Sequence, residues 1–91
     1  MKAVLQYVSA PDVAAKAPVH FAAHSARVAE FHQQGRLLMI GVFDDIRNDG
    51  AMGVFTTREA AEEFAAGDPF VLNGVVADWR VHDWHEILIP D

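Results

Sequence analysis

The order of apolar and polar stretches predicts an α+β domain of βαββαβ order, a split βαβ arrangement with one antiparallel sheet and two helices on a single face. Three observations predict it. Residues 3–8, 36–43, 51–56 and 75–89 are rich in β-branched, aromatic or alternating apolar residues, the mark of strands. Two longer segments with helical periodicity fall between the first and second and between the third and fourth of these. Strands two and three are separated only by a short polar stretch, as in a hairpin.

Residues 3–8 alternate, so Ala3, Leu5 and Tyr7 share a face, and Ser9-Ala10-Pro11-Asp12 closes the strand in a turn. Asp12 is expected to cap a short turn through Lys16, and Pro18 to open the first long helix at its first position. That helix runs to about Gln34, where Gly35 stops it. Along it Phe21, His24, Val28 and Phe31 recur at steps of three, four and three. His24 therefore belongs to the stripe that faces the sheet.

Residues 36–43 are apolar on both faces, with Leu37 and Met39 pointing one way and Leu38, Ile40 and Val42 the other. Residues 44–50 form a polar loop ending in the turn-favouring Asn48-Asp49-Gly50. In the third strand Met52, Val54 and Phe55 again give apolar residues on both faces. Thr56-Thr57-Arg58-Glu59 reads as a helix start, with Thr56 and Glu59 at capping-box spacing and Arg58 one turn before Glu62.

The chemistry concentrates at Gly67-Asp68-Pro69-Phe70. Gly67 suits the left-handed position that ends a helix, Asp68 an N-cap, and Pro69 the first position of the next helical piece, which reaches about Asn73-Gly74. Residues 75–89 then alternate, with Ala77, Trp79, Val81 and Asp83 on one face. Fifteen residues exceed an ordinary strand, so a bend or bulge is expected near residues 82–84, with residues 84–89 forming an extension that folds back or crosses to a second subunit.

Two helices cover one face of a sheet whose second and third strands are apolar on both. The other face needs a cover, and an identical chain supplies it: a homodimer with stacked sheets is expected.

Ninety-one residues, 52% of them hydrophobic, suffice for one domain spanning residues 1–91. The net charge of −6 repels phosphate backbones and excludes nucleic acid as a direct partner. Without cysteine there is no disulfide framework, thiolate metal site or Cys nucleophile. No apolar run approaches a membrane span, and the start is not that of a signal peptide, so a cytoplasmic protein is expected.

An acid at a sharp backbone break and an imidazole on a buried stripe form a candidate pair. A carboxylate bonded to one ring nitrogen orients the imidazole and leaves the other nitrogen to move protons. His24 and Asp68 are the candidate catalytic residues. Tyr7, His20, Ser25, Met39 and Phe70 are candidate substrate-binding residues. His20 and His24 have the spacing of a chelating pair, but a third ligand is not assured, and no metal is expected. His82 and His85, three apart in a strand, point to opposite faces. Trp79 and Trp84 read as sheet packing or dimer contacts. No phosphate loop, nucleophile elbow or dinucleotide fingerprint is present, so no cofactor is expected. Each candidate also has a purely structural role: Asp68 as a cap, His24 as a packing residue. The rival reading is accordingly a non-catalytic dimeric module that binds a metabolite or serves another protein.

The ordered set Ala23-His24-Ser25-Ala26-Arg27, Gly35-Arg36-Leu37-Leu38 through Gly41, Thr57-Arg58-Glu59-Ala60-Ala61, and Gly67-Asp68-Pro69-Phe70 followed by Gly74-Val75 resembles the YciI-like (YCII-related) family over essentially the whole chain. The resemblance implies a ferredoxin-like fold of the dimeric α/β-barrel group and an active site at His24 and Asp68. It also implies a small-molecule enzyme; one branch of the family is known as a dehydrochlorinase acting on a chlorinated hydroxyquinol. Together with the dyad, it points to proton transfer, isomerisation or elimination on a small carbonyl or phenolic compound. Two positions depart from the family pattern. Phe21 stands where many members carry an Arg, three residues before the His, and Val42 where many carry a Pro. The first removes a fixed cation beside the site, a place His20 can partly fill when protonated.

Overall fold

The computed structural model describes residues 1–89. The elements follow the order β1 (Lys2–Ser9), α1 (Val13–Gln33), β2 (Leu37–Val42), α2 (Ile46–Asp49), β3 (Ala51–Phe55), α3 (Arg58–Gly67), α4 (Pro69–Leu72) and β4 (Val76–Trp84). The four strands form one antiparallel sheet in the order β2-β3-β1-β4, the ferredoxin-like α+β arrangement. Among the described residues no helix is long and apolar enough to cross a membrane.

The core lies between one sheet face and the helices. Ala3, Leu5 and Tyr7 from β1 and Phe55 from β3 meet Phe31 of α1 and Ala60, Ala61, Phe64 and Ala65 of α3. The Phe31 and Phe64 rings pack edge to face with centroids 5.2 Å apart, a favoured aromatic geometry. Trp79 and Val81, opposite Tyr7 and Leu5 in the β1–β4 register, pack at the margin of the same core.

Several elements differ from their expected form. The first helix begins at Val13, not Pro18, and carries Pro18 within it. Proline has no N–H to donate to the carbonyl of Ala14, four residues earlier, but Ala14 is exposed and water can take that role. Phe21, at the head of the expected apolar stripe, is 59% exposed; the stripe is covered only from His24 onward. The second helix is capped by Thr57 rather than Thr56, its hydroxyl accepting from the Ala60 N–H at 3.1 Å. The expected polar loop at residues 44–50 holds the single turn α2, capped by Asp45. Gly35 does terminate α1 with φ of 74°.

Gly67 does not adopt the left-handed conformation; the positive-φ glycines among the described residues are Gly35, Gly50 and Gly74. The break after α3 comes from Pro69, which disfavours the helical region for the residue before it, and Asp68 is extended with φ −68° and ψ 125°. Gly67 has a different task. A Cβ there would lie 2.4 Å from a terminal nitrogen of Arg27, whose guanidinium occupies the space.

The register of β2 shifts between Leu37, opposite Phe55, and Met39, opposite Val54. The bulge at Leu38 places Leu37, Ile40 and Val42 on the helix-covered face and Met39 on the other, so Leu37 and Met39 do not share a side. β4 ends at Trp84 rather than at residue 89, and beyond it Glu86 pairs with Lys2 of the same chain.

Candidate functional site

Asp68 is the structural centre of the site. Because Pro69 forces it out of the helical region at the start of α4, its side chain caps that helix, accepting from the Phe70 N–H on Oδ1 at 3.0 Å. The same oxygen meets His24 Nδ1 of α1 at 2.8 Å, and Oδ2 accepts from the Tyr7 hydroxyl of β1 at 2.6 Å. The residue is 0% exposed. A carboxyl with no solvent is stable only when its oxygens are occupied by donors, and here a helix terminus, a strand and a second helix each supply one.

The His24 ring stacks on Phe70 with centroids 3.9 Å apart and planes 3° from parallel. Phe64 meets its edge and Phe21 leans toward it. Ring packing and the Asp68 bond together fix the imidazole in position. With Asp68 accepting from Nδ1–H, the neutral ring carries its free lone pair on Nε2, which makes no protein hydrogen bond among the described residues. The His24 side chain is 13% exposed. Burial, reinforced by the Asp68 carboxylate beside it, pushes the Tyr7 phenol well above its ordinary range, with Arg27 opposing the shift only weakly. Tyr7 therefore stays a donor to Asp68 at any working pH.

These side chains border a cavity of about 130 Å³ between the helix-facing side of the sheet and the N-terminal half of α1. Tyr7, His24 and Phe70 line it, with Leu5, Val13, Ile40, Ile46, Val75 and Val76 among the apolar walls. Val42, 68% exposed, stands at its open edge. Ser9 also lines it, its hydroxyl donating to the Ile46 carbonyl at 2.6 Å and so tying α2 to the rim.

Of the sequence candidates, the structure brings His24, Asp68, Tyr7 and Phe70 together. It does not bring His20, Ser25 or Met39 into the cavity lining: His20, one turn before His24 on α1, and Ser25 are half-buried outside it, and Met39 lies across the sheet, 66% exposed. Nor do three metal-ligating side chains converge anywhere among the described residues.

Two contributors were not singled out from the sequence. Ser9 continues the Ala3, Leu5, Tyr7 alternation and was legible there. Arg27, one turn after His24, donates to the Phe64 and Glu63 carbonyls at 3.1 and 2.7 Å. It thereby caps the C-terminus of α3 from α1 and holds the Asp68 break against the helix that carries His24. Its guanidinium also lies over Phe31, 4.8 Å from the ring centroid. The only trace of this in the sequence is a glycine just before Asp68.

Fold and site together define a ferredoxin-like α+β domain with a buried carboxyl–imidazole pair at an apolar cavity. The chain belongs to the YCII-related domain family, whose model matches residues 1–85. Among solved structures it is similar to 5-chloro-2-hydroxyhydroquinone dehydrochlorinase (TftG) from Burkholderia phenoliruptrix AC1100, determined in complex with 2,5-dihydroxybenzoquinone. The TM-score is 0.74 at 19% identity, over 93% of this chain and 94% of that one, a likeness that establishes the fold. No curated protein sequence matches the chain.

Proposed function

We propose that this protein is a small-molecule enzyme, independent of any cofactor, in which His24 Nε2 is the general acid/base and Asp68 orients the imidazole through Nδ1. The observation that carries the proposal is the buried Asp68 bonded at 2.8 Å to a histidine whose other nitrogen has no partner among the described residues and whose ring borders a cavity. A purely structural histidine would use both nitrogens or pack away from space.

The reaction class is proton transfer on a small carbonyl or phenolic compound. Nε2 takes a proton from carbon or hydroxyl, and the electron pair of the broken bond enters a conjugated system. In an isomerisation the imidazolium returns the proton to another atom of that system. In an elimination the pair forms a new π bond and the leaving group departs with its own bonding electrons. A dehydrochlorinase of similar fold supports the second variant.

The protein works as a homodimer stacked through the open sheet face, where Met39 and Val8 are exposed beside Met52 and the buried Val54. This leaves the helix-side cavity accessible in each copy.

The decisive experiment incubates the full chain with 5-chloro-2-hydroxyhydroquinone and with small cyclic ketones in deuterium oxide, following chloride release and solvent-deuterium incorporation. His24-dependent turnover or exchange, abolished in His24→Gln, is the expected result. Chloride release and exchange equal to buffer for every compound would count against catalysis and in favour of a binding module.

A further inference from the structure

The side chains around the cavity carry a second message, about charge. Of the described residues that line it, none is Lys, Arg, Asp or Glu. The two hydroxyls present are already committed, Tyr7 to Asp68 and Ser9 to the Ile46 carbonyl. The remaining side-chain polar atom is His24 Nε2. Behind that ring stands Asp68, fully buried, with donors on both oxygens.

We infer that the site selects uncharged, single-ring compounds and rejects both carboxylate-bearing and cationic ones of the same shape. This rests on the reading of the cavity as the reaction site. With Asp68 ionised, the pair with His24 has a net charge of zero when the imidazole is protonated and of minus one when it is neutral. In neither state does it present net positive charge, so an entering anion loses its hydration and gains no compensating cation. A cation also loses its hydration and meets no carboxylate in contact. Asp68 is enclosed by its three donors outside the lining, and no acid lines the wall among the described residues, so the negative charge acts only from behind the ring. Arg27, the nearest guanidinium along α1, is turned to the α3 carbonyls and is not part of the lining, and His20, one turn before His24, is outside the lining too.

Size agrees with this. An apolar cavity of roughly 150 Å³ accommodates benzene, and about 130 Å³ with an open edge suits a ring of that size whose substituent reaches toward His24 or toward solvent. The chemistry follows as well. A neutral acid that gives its proton to His24 becomes an anion beside a newly formed imidazolium, so charge appears only when its partner does.

Benzamide, benzoate and benzamidine have nearly the same shape and differ in charge at neutral pH, so they separate charge from fit. The isotope-labelled full chain is titrated with each, following the backbone signals of Tyr7, His24, Phe70 and Val75 by NMR. Benzamide is expected to shift these signals saturably, and both ions to bind on the order of a hundredfold more weakly. Val42→Lys, at the exposed edge where folding is not at stake, is expected to bring benzoate to at least the affinity of benzamide. Binding of either ion within about tenfold of benzamide, or no saturable shift with any of the three, overturns the inference. The readout is equilibrium binding, so a failure of His24-dependent turnover would remove the acid/base proposal and leave this selectivity standing. Turnover of an anionic substrate by the unmodified chain would do the opposite.

Discussion

The Tyr7 hydroxyl donates to Asp68 Oδ2 at 2.6 Å, and this bond joins the C-terminal half of β1 to the junction of α3 and α4. It gives the buried carboxyl a donor on the side that His24 does not reach. Tyr7→Phe keeps the ring and removes the donor. A buried hydrogen bond to a charged group is worth about 1.5–3 kcal/mol, and a loss of that size is expected in urea unfolding. A loss below about 0.5 kcal/mol would show that water or a shifted neighbour takes over the role.

Tyr7 also makes the protein sensitive to alkali. Its phenol is pushed up from an ordinary value of 10.0 by burial and by Asp68. In the unfolded chain tyrosine releases its proton as pH rises through that ordinary value, while the folded chain retains it. The folded state then binds more protons than the unfolded one, so stability present below pH 10.0 declines above it. Tyr7 is the only tyrosine, so tyrosinate absorbance reports it alone. The band is expected to appear together with loss of helical circular dichroism; a reversible titration at the ordinary value in folded protein would contradict the geometry.

Asp68 and His24 should separate in their effects. Asp68→Asn leaves one carbonyl oxygen where three donors converge, and the new amide must face one of them. Both stability and turnover should fall, turnover by about 10²–10⁴-fold. Because Asp68 also caps α4 and receives Tyr7, lost stability in this variant does not by itself identify a catalytic role. His24→Gln is the sharper test: its amide can still donate to Asp68, so a similar loss of turnover is expected with a smaller loss of stability than in Asp68→Asn. Full turnover in His24→Gln would exclude the imidazole as the acid/base.

At Gly67 the sign of an effect depends on a neighbour. Gly67→Ala displaces the Arg27 guanidinium, with which the new Cβ would collide, and should lose about 1–2 kcal/mol with the two carbonyl bonds. Combined with Arg27→Ala, the same change should turn neutral or stabilising by about 0.5 kcal/mol, since alanine is the better helix former and φ is not positive. Additive losses in a double-mutant cycle would mean that Gly67 serves some purpose other than housing Arg27.

The proposed pairing of sheets is tested at Met39, exposed on the open face. Light scattering at micromolar concentration should give a dimer mass, and Met39→Asp should shift it to the monomer while leaving the helix-side core intact. A monomeric mass for the unmodified chain would remove the stacked-sheet assembly.

Periodicity alone carried the element order, the side of β1 that faces the core and the position of His24 on α1, because a one-residue slip in a strand or a quarter turn in a helix would expose an apolar set to water. The Asp68-Pro69 pair was equally legible, since proline restricts the preceding residue through local sterics. What local rules could not reach was set by contacts between distant segments. The bulge at Leu38 reversed Met39 because strand pairing with β3, rather than β2's own alternation, settles the register. Local rules place Gly67 in a left-handed turn, because nothing in its own neighbourhood announces the guanidinium of Arg27, forty residues earlier in the chain. The sequence by itself determined the sheet, its two longer helices and the candidate residues His24 and Asp68. Only the tertiary structure decided that Tyr7 completes the shell around Asp68 and that the neighbouring hollow is walled without charge, because hydrogen bonds and packing across 61 residues of separation form only when the whole core closes.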